Sequence, residues 1–172
     1  MGFRFFYYLH PVQWIDRINL IIGKAVSWLT FILVLVIILD VSLRYVFSIT
    51  SAASFEVEWH LFAIIFLLGA AYTLQEDRHV RVDVFYDKYS KKAKAWINLL
   101  GTLLLLIPFC AIIFSESLYF VKNSYDLSET SPQPGGLQNR WIIKSMIPLG
   151  FFLLMLGGVS MVLRSIKILK QK

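Results

Sequence analysis

The sequence is short of most of the groups that carry chemistry. Its 172 residues include one cysteine, Cys110, set inside an apolar run. That leaves no intramolecular disulfide, no cysteine metal pair and no thiol redox couple. There are three histidines, and of these only His60 falls in a stretch apolar enough to enter a bilayer; His10 and His79 lie in segments of mixed polarity. Helical subunits that bind haem usually present histidines from facing spans, so a cytochrome-type role is disfavoured. Charged side chains are missing altogether between Lys94 and Glu116 and between Lys144 and Arg164. A proton or ion pathway would need ionisable groups deep in a span. No internal repeat is visible, although complete secondary transporters commonly carry one. No enzyme constellation can be assembled, and the expectation is a protein without catalytic residues, cofactor or metal.

What is abundant is apolar surface. The chain is 58% hydrophobic and 16% aromatic, with a mean hydropathy of +0.66, far from the balance of a water-soluble domain. Uncharged runs extend over Ala25 to Leu39, Leu61 to Gln75, Ala95 to Ser115 and Ser145 to Leu163. Crossing a bilayer takes about 20 residues of helix, so the first two runs must extend past Asp40 and back through His60. The expected fold is an all-α integral membrane protein. It forms a single domain over residues 1–172, with spans at about 18–47, 58–76, 95–119 and 141–164. Ser51-Ala52-Ala53 resembles a signal cleavage site but lies beyond the usual 30 residues or so, so the first span is expected to be retained.

The excess of bases, 17 Lys and Arg against 11 Asp and Glu, is distributed as flanks of apolar stretches rather than as a basic face with interleaved aromatics. That is the positive-inside pattern and not a nucleic-acid footprint. Arg78, Arg81, Lys88, Lys91, Lys92 and Lys94 place the loop between spans two and three in the cytoplasm. Arg4, Arg17 and Lys24 in the head, with Arg164, Lys167, Lys170 and Lys172 in the tail, place both termini on the same side. The opposite loops are poor in base. Two short segments, about 3–14 and 82–92, read as interfacial. The first is rich in aromatics, and the second sets Val82, Phe85 and Tyr89 at helical spacing opposite Asp87, Lys88 and Lys91. Ser131-Pro132-Gln133-Pro134-Gly135-Gly136 must be irregular.

Polar residues that call for explanation gather at span ends. Asp40 and Arg44 are four apart and share a helix face, so they can pair and lower the cost of their depth. Glu56, Glu58, Trp59 and His60 open the second span on the same side. Acidic groups suit the positive end of a helix dipole and Trp59 an aromatic belt; a contact surface for another protein is the alternative. Pro108, Pro148, Gly157-Gly158 and Ser160 read as kinks and packing contacts.

The ordered set Asp40-Val41-Ser42-Leu43-Arg44-Tyr45-Val46-Phe47, Glu56-Val57-Glu58-Trp59, Gly69-Ala70-Ala71-Tyr72 and Asp77-Arg78-His79-Val80-Arg81-Val82-Asp83 resembles the small, DctQ-type membrane subunit of tripartite ATP-independent periplasmic (TRAP) transporters. The likeness is close over the first two spans and the loop after them, and weaker beyond. It implies an accessory subunit in a bacterial inner membrane. Its partners would be a large DctM-type membrane subunit, which holds the substrate and sodium sites, and a periplasmic solute-binding protein. It also implies import of organic acids on a sodium gradient, with this chain as brace. Carried over by position, Arg44, Glu58, Trp59, His79, Arg81 and Asp83 become structural or subunit-contact residues, beside Asp40 and Glu56. Competing readings are a self-assembling small transporter or channel and an anchor subunit of a membrane oxidoreductase. A third, the small subunit of tripartite tricarboxylate transporters, lacks the Glu-Val-Glu-Trp and His-Val-Arg-Val-Asp elements.

Overall fold

The computed structural model describes residues 10–76 and 89–170, with backbone alone at His10 and Pro11. Four long helices account for nearly all of it: α1 (His10–Phe47), α2 (Ala52–Gln75), α3 (Lys91–Asp126) and α4 (Trp141–Lys170). All four are long and apolar enough to cross a membrane, and no strand occurs among the described residues. The chain is therefore an all-α, multi-pass membrane protein. The first segment read as interfacial runs into α1, which begins with residues 10–14; residues 3–9 lie outside the described region. So does most of the second such segment, since the described chain resumes at Tyr89.

Local sequence explains where the helices begin, end and bend. α1 stops at Ser48, whose φ of 55° reverses the chain in the left-handed region. Ser90 caps α3, its hydroxyl accepting from the Ala93 N–H at 3.3 Å. Within α3, residues Thr102–Leu106 form a π-helical turn, in which the Ile107 N–H bonds to the Thr102 carbonyl. Pro108 follows directly. It has no N–H to give to Leu104, and its ring would crowd that carbonyl in a regular helix; the wider turn relieves both problems.

Antiparallel packing gives the bundle a hairpin end, with the 48–51 and 127–140 connections, and a terminal end, where α1 and α3 begin and α2 and α4 finish. α1 pairs with α2, α3 lies on α4, and α4 touches all three of the others. One third of α4's apolar window is buried, against 11 to 17% for the other helices. Small residues make this possible. A Cβ at Gly150 would stand 2.8 Å from the Leu67 carbonyl oxygen, and Gly158 lies against Leu106, Thr102 and Ile107, the close approach that small residues permit between membrane helices. The core is a narrow cluster of Leu74, Cys110 and Leu154, edged by Ala70, Leu106, Phe151, Met155 and Met161.

Most large apolar side chains face outward. From Trp28 to Phe47, α1 keeps only the stripe Leu29, Leu33, Val36 and Asp40 turned inward, while Tyr45 and Val46 are 79% and 72% exposed. In water such a surface would drive association. In a bilayer it meets lipid or another protein.

Candidate functional site

The hairpin end is closed by a carboxylate. Glu56, in the second turn of α2, reaches across to the irregular 127–140 connection. One of its oxygens accepts from the Ser131 hydroxyl and the other from the Leu137 N–H at 2.6 Å. The turn it grips is closed on itself: the Ser131 N–H bonds to the Leu137 carbonyl and the Gly136 N–H to the Gln133 carbonyl, both at 3.0 Å. Gly136 is needed there, because a Cβ would collide with Ser131 and stand 2.9 Å from the Glu56 carboxylate. Glu56 is thus buried and satisfied at both oxygens, as a buried acid must be.

A second carboxylate secures the other side of the same connection. Glu129 is ion-paired with Lys144 of α4 and accepts from the Ser124 hydroxyl at 2.7 Å. The Lys144 and Ser124 hydrogen bonds hold its carboxyl below the ordinary value of 4.5. Arg140 lies over the Trp59 ring, 5.7 Å from its centroid, and Lys144 over Phe120 at 4.0 Å. Tyr125 meets Trp141 edge-on at 5.4 Å. Prolines and glycines that look like a slack loop in the sequence are therefore tied to α2, α3 and α4.

The α1–α2 seam holds the remaining acids. Asp40 is buried and ion-paired with Arg44 one turn on, whose side chain is 44% exposed. Gly23 packs on Tyr72 and Gly69 on Val26, a register that sets Glu58 opposite Ile37, one turn from Asp40. One Glu58 oxygen is buried without a hydrogen-bond partner among the described residues. Trp59 stacks on His60 at 3.9 Å. The structure thus gathers Asp40, Arg44, Glu56, Glu58 and Trp59 at one end of α1 and α2. His79, Arg81 and Asp83 lie outside the described residues.

The terminal end has its own lock, which the sequence reading passed over. Asp16 of α1 is ion-paired with Arg164 of α4, accepts from the Ser160 hydroxyl at 2.8 Å, and through its carbonyl accepts from the Gln75 side chain at 3.1 Å. Asn19, one turn further and fully buried, packs against Gly157. The available signal was spacing: Asp16 and Asn19 share one helix face, as do Ser160 and Arg164. Arg140 and Lys144 at the hairpin end were missed too, since each looks like an ordinary flanking base.

Four helices long and apolar enough to cross a membrane, with carboxylates joining α2, α3 and α4 at one end and α1 and α4 at the other, define a polytopic membrane protein. The profile of the DctQ component of tripartite ATP-independent periplasmic transporters matches residues 33–168, from the middle of α1 almost to the end of α4. The chain belongs to the DctQ family, a transport component. It is also similar to a Haemophilus influenzae protein named "Putative TRAP transporter small permease protein", being 28% identical over 103 residues. That match covers 60% of this chain and 64% of the relative.

Proposed function

We propose that this chain is the bracing subunit of a TRAP-type importer in a bacterial inner membrane, with both termini cytoplasmic. It packs laterally on a large DctM-type membrane subunit and steadies it while that subunit moves organic acids inward on a sodium gradient. Family membership supports the setting, and the loop charges support the orientation. The observation that carries the bracing role is the contrast within α1: its outer half presents Phe31, Ile38, Leu39, Tyr45 and Val46 outward while keeping a buried Asp40 paired with the half-exposed Arg44. A helix with so little cover in its own bundle is suited to a partner's flank. The clamped 127–140 connection would then form a fixed platform on the periplasmic side, where a solute-binding protein docks. Asp40, Arg44, Glu56, Glu58 and Trp59 act in this reading by shaping the platform and seam. His79, Arg81 and Asp83, outside the described residues, are in this reading structural or subunit-contact residues.

The test is affinity purification from the native membrane in mild detergent, followed by mass spectrometry. A much larger polytopic protein in stoichiometric amount is the expected companion, and its identity would give the cargo class. Recovery of a homo-oligomer alone would overturn the bracing role.

A further inference from the structure

Between α2 and α4, at the hairpin end, runs an open groove of about 440 Å³. Its walls are Phe62 and Phe66 on one side and Ile143 and Ile147 on the other, with Ala63 also in the lining and Arg140 and Lys144 at the mouth. From Trp59 to Leu67 the groove follows nine residues of α2, about 12 Å at the helical rise. It therefore starts at the level of the aromatic residues Trp59 and Trp141 and descends into what the bilayer makes hydrocarbon. Phe62 and Phe66 are 62% and 68% exposed, so the groove opens sideways to the membrane.

Shape and charge identify the occupant. The groove is open to the membrane along its length and runs from the aromatic level into the hydrocarbon, the course of a single flexible acyl chain that hangs from a headgroup at its mouth. At the mouth, the guanidinium of Arg140 faces the Trp59 ring and has no carboxylate within ion-pair distance among the described residues, while Lys144 is paired with Glu129. Glu56 and Glu129 already balance Arg140 and Lys144 in formal charge. A headgroup with no net charge, its phosphate turned to the N–H donors of Arg140, keeps that balance. We propose that the α2–α4 groove binds a zwitterionic glycerophospholipid, phosphate on Arg140 and one acyl chain along Phe62 and Phe66. The site does not depend on the bracing role, since lipid enters from the bilayer whether or not a large subunit is present.

The experiment places a benzophenone amino acid at position 66 of the full chain in its native membrane, with a control at position 105, where Leu105 is 72% exposed on α3. After irradiation, intact-mass analysis should find phospholipid adducts at position 66 at least about fivefold above the control. Equal yields mean annular lipid only and overturn the site, as does an adduct to protein. Two variants check it in native mass spectrometry of the mildly solubilised protein. Ala63→Phe fills the groove without changing charge and Arg140→Gln removes the phosphate's partner; each should lower retained phospholipid at least about tenfold, for Arg140→Gln the low end of one charge-assisted hydrogen bond. Unchanged retention in both overturns the proposal. So does retention of phosphatidylglycerol in preference to phosphatidylethanolamine after reconstitution in each.

Discussion

α4 and the outer half of α1 are similar in composition and opposite in circumstance. Both are long apolar helices, yet α4 touches every other helix and is tied at each end by an ion pair, Lys144 to Glu129 and Arg164 to Asp16. Beyond Trp28, α1 has a single inward stripe and no tie except its own Asp40–Arg44 pair. Hydropathy cannot tell these helices apart, because lipid is as apolar as a protein core and gives little drive for one helix to prefer another. The difference comes from small residues and carboxylates. α4 has Gly150, Gly157, Gly158 and Ser160 where neighbours approach, whereas the outer half of α1 is built of bulky side chains that keep neighbours at a distance.

The contrast can be broken most severely at Gly150. Gly150→Val sets branched carbons against the Leu67 carbonyl, 2.8 Å from where the first would stand, and is expected to cost about 2–3 kcal/mol, the upper range for overpacking. Cys110 offers the readout, being fully buried in the core beside Leu154. Its maleimide labelling on heating should begin at a distinctly lower temperature in the variant, and an unchanged onset would mean that α4 is not the close-packed centre.

A smaller effect is expected from the hairpin lock. Glu56→Ala leaves the Ser131 hydroxyl and the Leu137 N–H without their acceptor, a cost of about 1–3 kcal/mol for buried donors. Glu56→Gln keeps one carbonyl acceptor and should lose less. The loss should appear as faster protease cleavage within residues 127–140, with Cys110 still shielded. Simultaneous exposure of both would show that the lock and the core are one cooperative unit.

Acid should loosen the same connection. The Glu129 carboxyl is held below its ordinary value by Lys144 and Ser124, so the closed form binds its proton less readily than the open form does. Its stabilisation is complete above about 4.5, declines as pH falls below that value, and is gone once pH passes the depressed folded value. Hydrogen exchange of the 127–140 amides should therefore show less protection below pH 4.5 in the native chain. Glu129→Gln should be less protected already at pH 7 and keep only a smaller acid-dependent step, that of the Glu56 carboxylate gripping the same connection.

How much of this was legible in the sequence depends on whether a residue's partner was near it in the chain. The four helices followed from apolar runs, and the Asp40–Arg44 pair from a four-residue interval. Ser131 to Gly136 read as irregular because proline and glycine forbid a continuous helix, but that Glu56 grips it from 75 residues away was invisible. Asp16 and Arg164 are 148 residues apart; Arg164 read only as a base of the tail, and Asp16 drew no notice among the bases of the head. The π-helical turn was hinted at only by Pro108. Patterns of period show which face of a helix is apolar; they do not show which distant carboxylate will find that face.

The least effect on stability, and the sharpest use of the comparison, is expected in α1. Leu39→Ala, Tyr45→Ala and Val46→Ala remove side chains that are 63%, 79% and 72% exposed, so the labelling transition of Cys110 should shift by no more than about 0.5 kcal/mol per site, as for surface positions without partners. If that face is where the large subunit rests, the combined variant should recover much less of it in mild detergent, because each truncation opens a gap in a packed helix contact. The equivalent three truncations on α3, at Leu104, Leu105 and Ile112, also strongly exposed, are the matched control. Equal loss from both sets would mean that apolar surface in general, and not the outer half of α1, supports assembly. No loss from either would confine the contact to the ends of the bundle, where the carboxylate locks lie.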